Sequence, residues 1–275
     1  MNHHPQPSLL VEMAEMAAFD DAYQAAPPEF QHGTGMHHEW AGSALVVSLP
    51  ASDAKAFNRI LGLGVLEPAS EEMIDLALAF FQATGVSPAF QMAPIAQPAE
   101  VTDWLYARGL EPQDSWIKFY RDRSPVEPVV TDLYVTEIGP EAAWHFADVL
   151  AQGFGSPEWQ GFWMAALVGR PDWHIYVAYD GDTPAATGAM FCRDGVGWLG
   201  FGATHPDFRR RGAQGAIMAK RLEEGMAMGC EWFVTETWEP EAGNANSSLN
   251  NMMRGGFQVA HRRLNFAYPE YAPGA

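Results

Sequence analysis

Thr204-His205-Pro206-Asp207-Phe208-Arg209-Arg210-Arg211-Gly212-Ala213-Gln214-Gly215-Ala216 separates a strand-like run, Val196–Thr204, from a helical one that starts at Gly212 and runs to Met228. Strand, glycine-rich turn and helix in that order suit an anion. Small residues let a ligand approach the backbone, and the free N–H groups of a helix's first turn, with its dipole, attract negative charge. The helix is amphipathic, with Gly215, Met218, Ala219, Leu222 and Met226 on one face. Three arginines at its start oppose the dipole by roughly 0.3–1 kcal/mol each when exposed. They make sense if an anion sits between them and the amides. The plain alternative is a solvated basic turn.

The elements alternate on either side of this stretch. Downstream of Ser124-Pro125-Val126-Glu127-Pro128, a two-proline linker, Val129–Ile138 reads as a strand. Pro140–Gln152 and Pro157–Leu167 read as helices with an early proline. Trp173–Tyr179 and Ala185–Cys192 are strands in hairpin order, followed by Val196–Thr204. After the long helix, Cys230–Thr237 is a strand, Ser247–Arg254 a short helix and Gln258–Phe266 a last strand. The upstream half echoes this tail: Phe57–Leu66, Ser70–Thr84, Ala89–Ala93, Val101–Arg108 and Ser115–Arg121 repeat strand, long helix, strand, short helix, strand. Trp104–Leu110 aligns with Asn251–Phe257 in register, including Gly109 with Gly256. The helix of the first half begins Ser70-Glu71-Glu72, an N-cap and two acids, which is the ordinary structural start. The expected organisation is α/β (α+β), with one domain at 1–124 lacking the phosphate loop and a second, catalytic one at 129–275.

Pro206-Asp207-Phe208-Arg209-Arg210-Arg211-Gly212 resembles the cofactor motif of the GNAT superfamily of N-acetyltransferases, Arg/Gln-x-x-Gly-x-Gly/Ala. Arg209 and Gly212 match it, while Gln214 stands where the family has Gly or Ala, with Gly215-Ala216 next. The resemblance spans Val129 to the last strand, and the first half resembles the same fold with the motif lost. It implies two tandem GNAT-like domains, with a mixed, mostly antiparallel sheet flanked by helices, and acetyl-CoA as co-substrate. Its pyrophosphate would lie on residues Arg209, Arg210, Arg211, Gly212, Ala213, Gln214, Gly215 and Ala216. Its pantetheine arm would lie beside Ala203 and Thr204, where a backbone N–H would polarise the thioester carbonyl. Asn246, Ser248 and Gly256-Phe257 fit the family's second motif. The tyrosine that many members use to protonate the thiolate is replaced by Met252, which leaves Ser248 or Asn251 to hydrogen-bond the sulfur. The first half has Tyr106 in the corresponding short helix, read as packing.

No acid lies in Val196–Thr204. Alternation along Cys230–Glu239 puts Trp232, Val234, Glu236 and Trp238 on one face. A lone carboxylate there could be a general base with a raised pKa, or the partner of an arginine such as Arg262 or Arg263. His205 and Glu239 are weaker candidates. Trp159, Phe162 and Trp163 have helical spacing, either as core or as a wall of the acceptor site.

Composition narrows the partners. The net charge of −18 argues against nucleic acid and anionic membranes and weakly favours cationic amines. The expected acceptor is a small-molecule or peptide amine, and a homodimer is compatible with the sequence. No apolar run approaches the ~20 residues of a membrane span. Cys192 and Cys230 are far apart in sequence and read as small buried hydrophobes, without a disulfide, in a reducing cytoplasm. His3-His4 and His37-His38 read as end or loop histidines, and no metal is expected. The competing function class is an acyl-CoA sensor or scaffold without turnover.

Overall fold

The computed structural model describes residues 6–240 and 246–269. Two helices, α1 (Pro7–Ala25) and α2 (Pro28–Thr34), precede a hairpin of β1 (His37–Ala41) and β2 (Ala44–Ser48). The first half continues with β3 (Arg59–Leu61), α3 (Glu71–Thr84), β4 (Phe90–Met92), α4 (Val101–Ala107) and β5 (Glu111–Arg121). The second half opens with β6 (Tyr134–Glu137), α5 (Ala143–Phe154) and α6 (Gly161–Ala165). β7 (Trp173–Asp180), β8 (Thr183–Arg193), β9 (Val196–Thr204), α7 (Ala213–Ala227), β10 (Trp232–Trp238), α8 (Ser247–Arg254) and β11 (Gln258–Ala267) complete it.

All strands join one sheet in the order β1-β2-β3-β4-β11-β5-β10-β9-β8-β7-β6. Pairing is antiparallel except where a helix crosses over, at β3 with β4 and β9 with β10. These two parallel pairs are the matching parts of the repeat. The repeat also shares its turn chemistry: Gly109 and Gly256 both have φ near +77°, and Leu105 and Met252 are both buried.

The halves exchange their last strands. β5, from the first half, lies between β11 and β10, and β11, from the second, lies between β4 and β5. Trp238 pairs with Trp116 and Glu236 with Lys118 on one side of β5; Arg263 pairs with Trp116 and His261 with Lys118 on the other. The linker after residue 124 therefore separates the halves in sequence but not in the sheet.

One face of the sheet carries α1, α2, α5 and α6, with a core that includes Phe19, Phe146, Trp163, Trp173 and Trp198. Trp163 is core: it is fully buried and its Nε1 donates to the Ala22 carbonyl at 2.6 Å. On the other face, α3 and α4 cover the first half's strands, and α7 and α8 cover the second's.

Several expectations change. The extended segment before β6 does not pair from Val129 onward. It docks on the start of α7, where Thr131 Oγ1 donates to the Arg211 carbonyl at 2.8 Å. His37 and His38 stand in β1, where His37 stacks on Phe80 and His38 faces Asp20 at 3.6 Å; His3-His4 lies outside the described residues. Cys192 and Cys230 are joined as a disulfide, because the end of β8 and the start of β10 meet at one end of the sheet. No helix among the described residues is long and apolar enough to cross a membrane.

The exchange has a direct consequence for fragments. A piece ending at residue 124 holds β5 without either of its sheet partners. Residues 1–124 and 125–275, made separately, should each lack a cooperative melt by circular dichroism and regain one on mixing. Two independently cooperative fragments would contradict the exchanged sheet.

Candidate functional site

β9 and β10 run parallel only from Trp232↔Val196 to Thr235↔Leu199. The last tie is Thr235 Oγ1 donating to the Leu199 carbonyl at 2.8 Å. Beyond it, β9 follows β8 as far as Ala186↔Thr204, and β10 follows β5 as far as Trp238↔Trp116. The two strands diverge and leave a gap. A bulge in β9 sharpens the divergence: Phe201 and Gly202 together face the single residue Gly188 of β8, and Phe201 takes a φ of 48°.

The arginine-glycine loop stands at the open end of this gap. Gly212 begins α7 in the left-handed region at φ 78°, and Arg210 has φ 66°. A Cβ on Gly212 would lie 2.5 Å from the Val130 carbonyl oxygen, so glycine is required there twice over. No hydrogen bond among the described residues takes the amides of residues 210–215, whereas the Ala216 amide already donates to the Gly212 carbonyl. These free amides at a helix N-terminus suit a diphosphate. Ala216 offers no N–H to it, contrary to the sequence expectation.

The loop side chains divide into two groups. Arg209 and Arg210 are exposed and make no ion pair among the described residues; Arg209 reaches only the Gly153 carbonyl, at 3.4 Å. Arg211 is committed elsewhere, bonded to Asp132 and, at 2.8 Å, to Asp180. Those hydrogen bonds raise its pKa and lower those of both aspartates. Of the three arginines expected to flank an anion, Arg211 is thus held by carboxylates of this chain, Asp132 ahead of β6 and Asp180 at the end of β7, which leaves Arg209 and Arg210. Gln214 does not line an open cradle either. Its Nε2 donates to the Ala203 carbonyl at 2.6 Å, to Thr204 Oγ1 at 3.1 Å and to the Thr187 carbonyl at 3.2 Å, which ties α7 to the sheet. Ala203 and Thr204 stand on β9 beyond its last pairing with β10.

Asn246 is buried as the N-cap of α8. Its Oδ1 accepts from the Leu249 amide at 3.1 Å, and its Nδ2 donates to Thr237 Oγ1 and the Trp238 carbonyl. All its groups serve to fix α8 on β10, so it positions the helix. Ser248 and Asn251 sit three residues apart on one side of α8, exposed and half-buried, with no side-chain partner among the described residues.

Glu236 is not a lone carboxylate on an apolar face. Its side chain bonds Lys118 Nζ, lies 3.3 Å from Arg263 and 3.7 Å from Arg59. Alternation along β10 foresaw the face correctly, but the cations come from β3, β5 and β11. The cluster continues into α1. Glu15 meets Arg263 at 2.5 Å, Arg59 at 3.0 Å and Lys118; Glu12 meets Arg263 and His261, each at 3.0 Å. Gln91 Oε1 accepts from both arginines. Burial alone would raise the Glu15 carboxyl, but Arg263, Lys118 and Arg59 outweigh it and hold it far below its ordinary range. Burial, reinforced by Arg263 and opposed by Glu15, pushes Lys118 down to about 7. Little in the sequence signals this cluster, since Glu12 and Glu15 lie in the first helix, where they interrupt an otherwise apolar face.

The matching gap in the first half is closed. β3 and β4 share only Ile60↔Phe90. Beyond that pair the chain itself fills the space: the Gln97 amide donates to the Gly64 carbonyl at 2.8 Å, and the Ala69 amide to the Gln97 carbonyl at 2.6 Å. Ser70 caps α3 by accepting from the Met73 amide, and Tyr106 packs edge-on against Phe266.

One open gap, with a bulged strand on one wall and a helix N-terminus at its mouth, is the geometry of a known family. Residues 135–235 match the acetyltransferase (GNAT) domain. Over those residues the second half is similar to a GNAT acetyltransferase domain. The whole chain has the tandem GNAT fold. A GCN5-related N-acetyltransferase from Kribbella flavida superposes with a TM-score of 0.62 at 15% identity, covering 94% of this chain and 96% of that one. One from Sphaerobacter thermophilus gives 0.59 at 14%, with coverages of 96% and 93%. A tandem GNAT protein from the clavulanic acid biosynthesis pathway gives 0.56 at 13%, covering 100% and 97%. No curated protein matches the sequence.

Two measurements test the ion cluster. Glu236→Gln leaves buried cations short of a carboxylate and should lower stability in urea by about 3–5 kcal/mol. A variant of unchanged stability with turnover reduced a hundredfold or more would instead make Glu236 the catalytic base. Glu12 and Glu15 titrate below their ordinary 4.5 when folded, so the unfolded chain takes up protons first as pH falls. The stability they supply is complete above that value and lost below it. Urea midpoints should therefore fall with pH in the acid range, and less steeply in Glu15→Gln; equal slopes would count against the cluster.

Proposed function

We propose that the protein is an acetyl-CoA-dependent N-acyltransferase in which an amine attacks the thioester directly. The observation that carries this reading is the divergence of β9 from β10 past Leu199 and Thr235, with the amides of 210–215 at its mouth unpaired among the described residues. The diphosphate rests on those amides, with Arg209 and Arg210 beside it. The pantetheine arm lies along the unpaired edge of β9 near Ala203 and Thr204, and a β9 N–H polarises the thioester carbonyl. The acceptor, a small-molecule or peptide amine, approaches from the α1 face, where Trp116 and half-exposed Trp238 stand. The overall charge of −18 raises the local concentration of cationic amines.

Proton handling follows from what the side chains already hold. Glu236 is bound to Lys118 and Arg263, so water takes the amine proton, and Glu236 acts by holding β10 beside β5. Ser248 and Asn251 hydrogen-bond the departing sulfur. A thiolate with a pKa near ~8.5 leaves without a strong acid. Acetyl-CoA supply places the reaction in the cytoplasm; the Cys192–Cys230 bond is the feature that does not follow from that setting. The commitment of Glu236 to Lys118 and Arg263 supports a second reading, an acyl-CoA sensor without turnover.

Acetyl-CoA at 100 times its dissociation constant should add about 2.7 kcal/mol of stability, seen as a higher melting temperature. Replacing Arg209 and Arg210 together by Ala should weaken its binding roughly 10–100-fold, the size of one or two charge-assisted hydrogen bonds. Arg211→Ala should change affinity far less, since Asp132 and Asp180 hold that side chain. No melting shift at millimolar acetyl-CoA would overturn the reading. Thiol release with an amine panel separates transferase from sensor.

A further inference from the structure

The β9 bulge is clamped from both faces of the sheet. On the α1 face, the Trp198 ring lies over Gly200, where a Cβ would come within 1.9 Å of it. On the α7 face, the guanidinium of Arg221 lies over Gly188, where a Cβ would come within 2.9 Å of Cζ. Arg221 is buried, with 4% of its surface exposed, yet it has no ion pair among the described residues. Its Nη1 donates to the Ala189 carbonyl at 2.8 Å and to the Gly200 carbonyl at 3.3 Å. Ala189 and Gly200 are the register pair that adjoins the bulge. Nε has no partner.

A buried arginine without a carboxylate is costly, and a helix packed on a sheet needs none. Leu or Met would fill the space between α7 and β8. What the guanidinium supplies instead is a pair of fixed donors to the carbonyls of the two strands, at the point where β9 leaves its regular ladder. Gly188 makes room for it and Gly200 admits the indole. Phe201, next along β9, is thereby held at its positive φ, and the backbone of residues 200–202 is held with its free edge toward the gap.

We propose that Arg221 is a positioning residue for acyl transfer: it fixes the β9 bulge so that the backbone N–H groups beside Phe201 meet the thioester carbonyl. It touches neither substrate. This assignment rests on the acyltransferase reading. It sets Arg221 apart from the loop arginines, which act on the far end of the same ligand. The diphosphate and adenine parts of the ligand lie away from the bulge, so loss of Arg221 weakens recognition of the acyl group alone.

The test is calorimetric titration of acetyl-CoA and of free CoA into the full chain, as wild type, Arg221→Met, Arg221→Lys and Gly188→Ala. Arg221→Met should lose about 3–10-fold in acetyl-CoA affinity, the worth of one hydrogen bond, and change CoA affinity less than about twofold on the same scale. Arg221→Lys, which keeps a donor, should recover part of the loss. Gly188→Ala keeps the arginine but displaces its guanidinium and should reproduce the loss, which covers the case in which Arg221→Met fails to fold. A ratio of acetyl-CoA to CoA affinity equal to wild type in these variants would overturn the proposal. Equal losses for both ligands would also overturn it and make Arg221 a fold residue. Wild-type protein that binds neither ligand would overturn the acyltransferase reading itself.

Discussion

Taking Glu12 and Glu15 out of water costs several kcal/mol each unless cations replace the solvent. In this protein the cations arrive from three strands: Arg59 on β3, Lys118 on β5 and Arg263 on β11. The last two strands are the ones the halves exchange. Glu236 on β10 closes the set from the other side. The cluster therefore sits where α1, both halves and the strand beside the gap meet. It fixes the angle at which β10 leaves β9, because β10 is tied to β5 through Glu236 and Lys118, while β9 is tied to β8.

Around this point the two halves repeat the same strand-helix-strand crossover but end differently. In the second, glycine and free amides begin the helix, and the gap stays open. In the first, an acid-rich capped turn begins the helix, and Gln97 occupies the gap by bonding Gly64 and Ala69. Unpaired amides thus begin the helix in one copy, and backbone pairing fills the matching gap in the other. The first copy contributes elsewhere: β5 walls the second half's sheet, and α1 covers the face from which an acceptor would come.

Much of this was legible in the sequence. The loop at 204–216, the crossover helices and the repeat in register at Gly109 and Gly256 follow from glycine chemistry and periodicity. Strand exchange was not legible, since β5 and β11 have the same pattern and either could pair with β4 or β10. Nor was α1, whose buried Glu12 and Glu15 break the apolar stripe that marks a packed helix. Glu236 shows the same limit: alternation gives the face of a strand but not what neighbouring strands bring to it, so the sequence left open a base or an arginine partner, and Arg263 is that partner. Arg211 fills an unspecified position of the motif and Gln214 departs from it, and the partners of both lie in segments the motif does not include.

Under the proposed function, CoA enters the β9–β10 gap with its diphosphate on the start of α7. Amide hydrogen exchange with and without saturating CoA tests it most directly. Protection confined to residues 210–215 and the neighbouring edge of β9, with the Ser70 turn of the first half unchanged, is the expected result. Protection at the Ser70 turn, or none at the amides of 210–215, would contradict it.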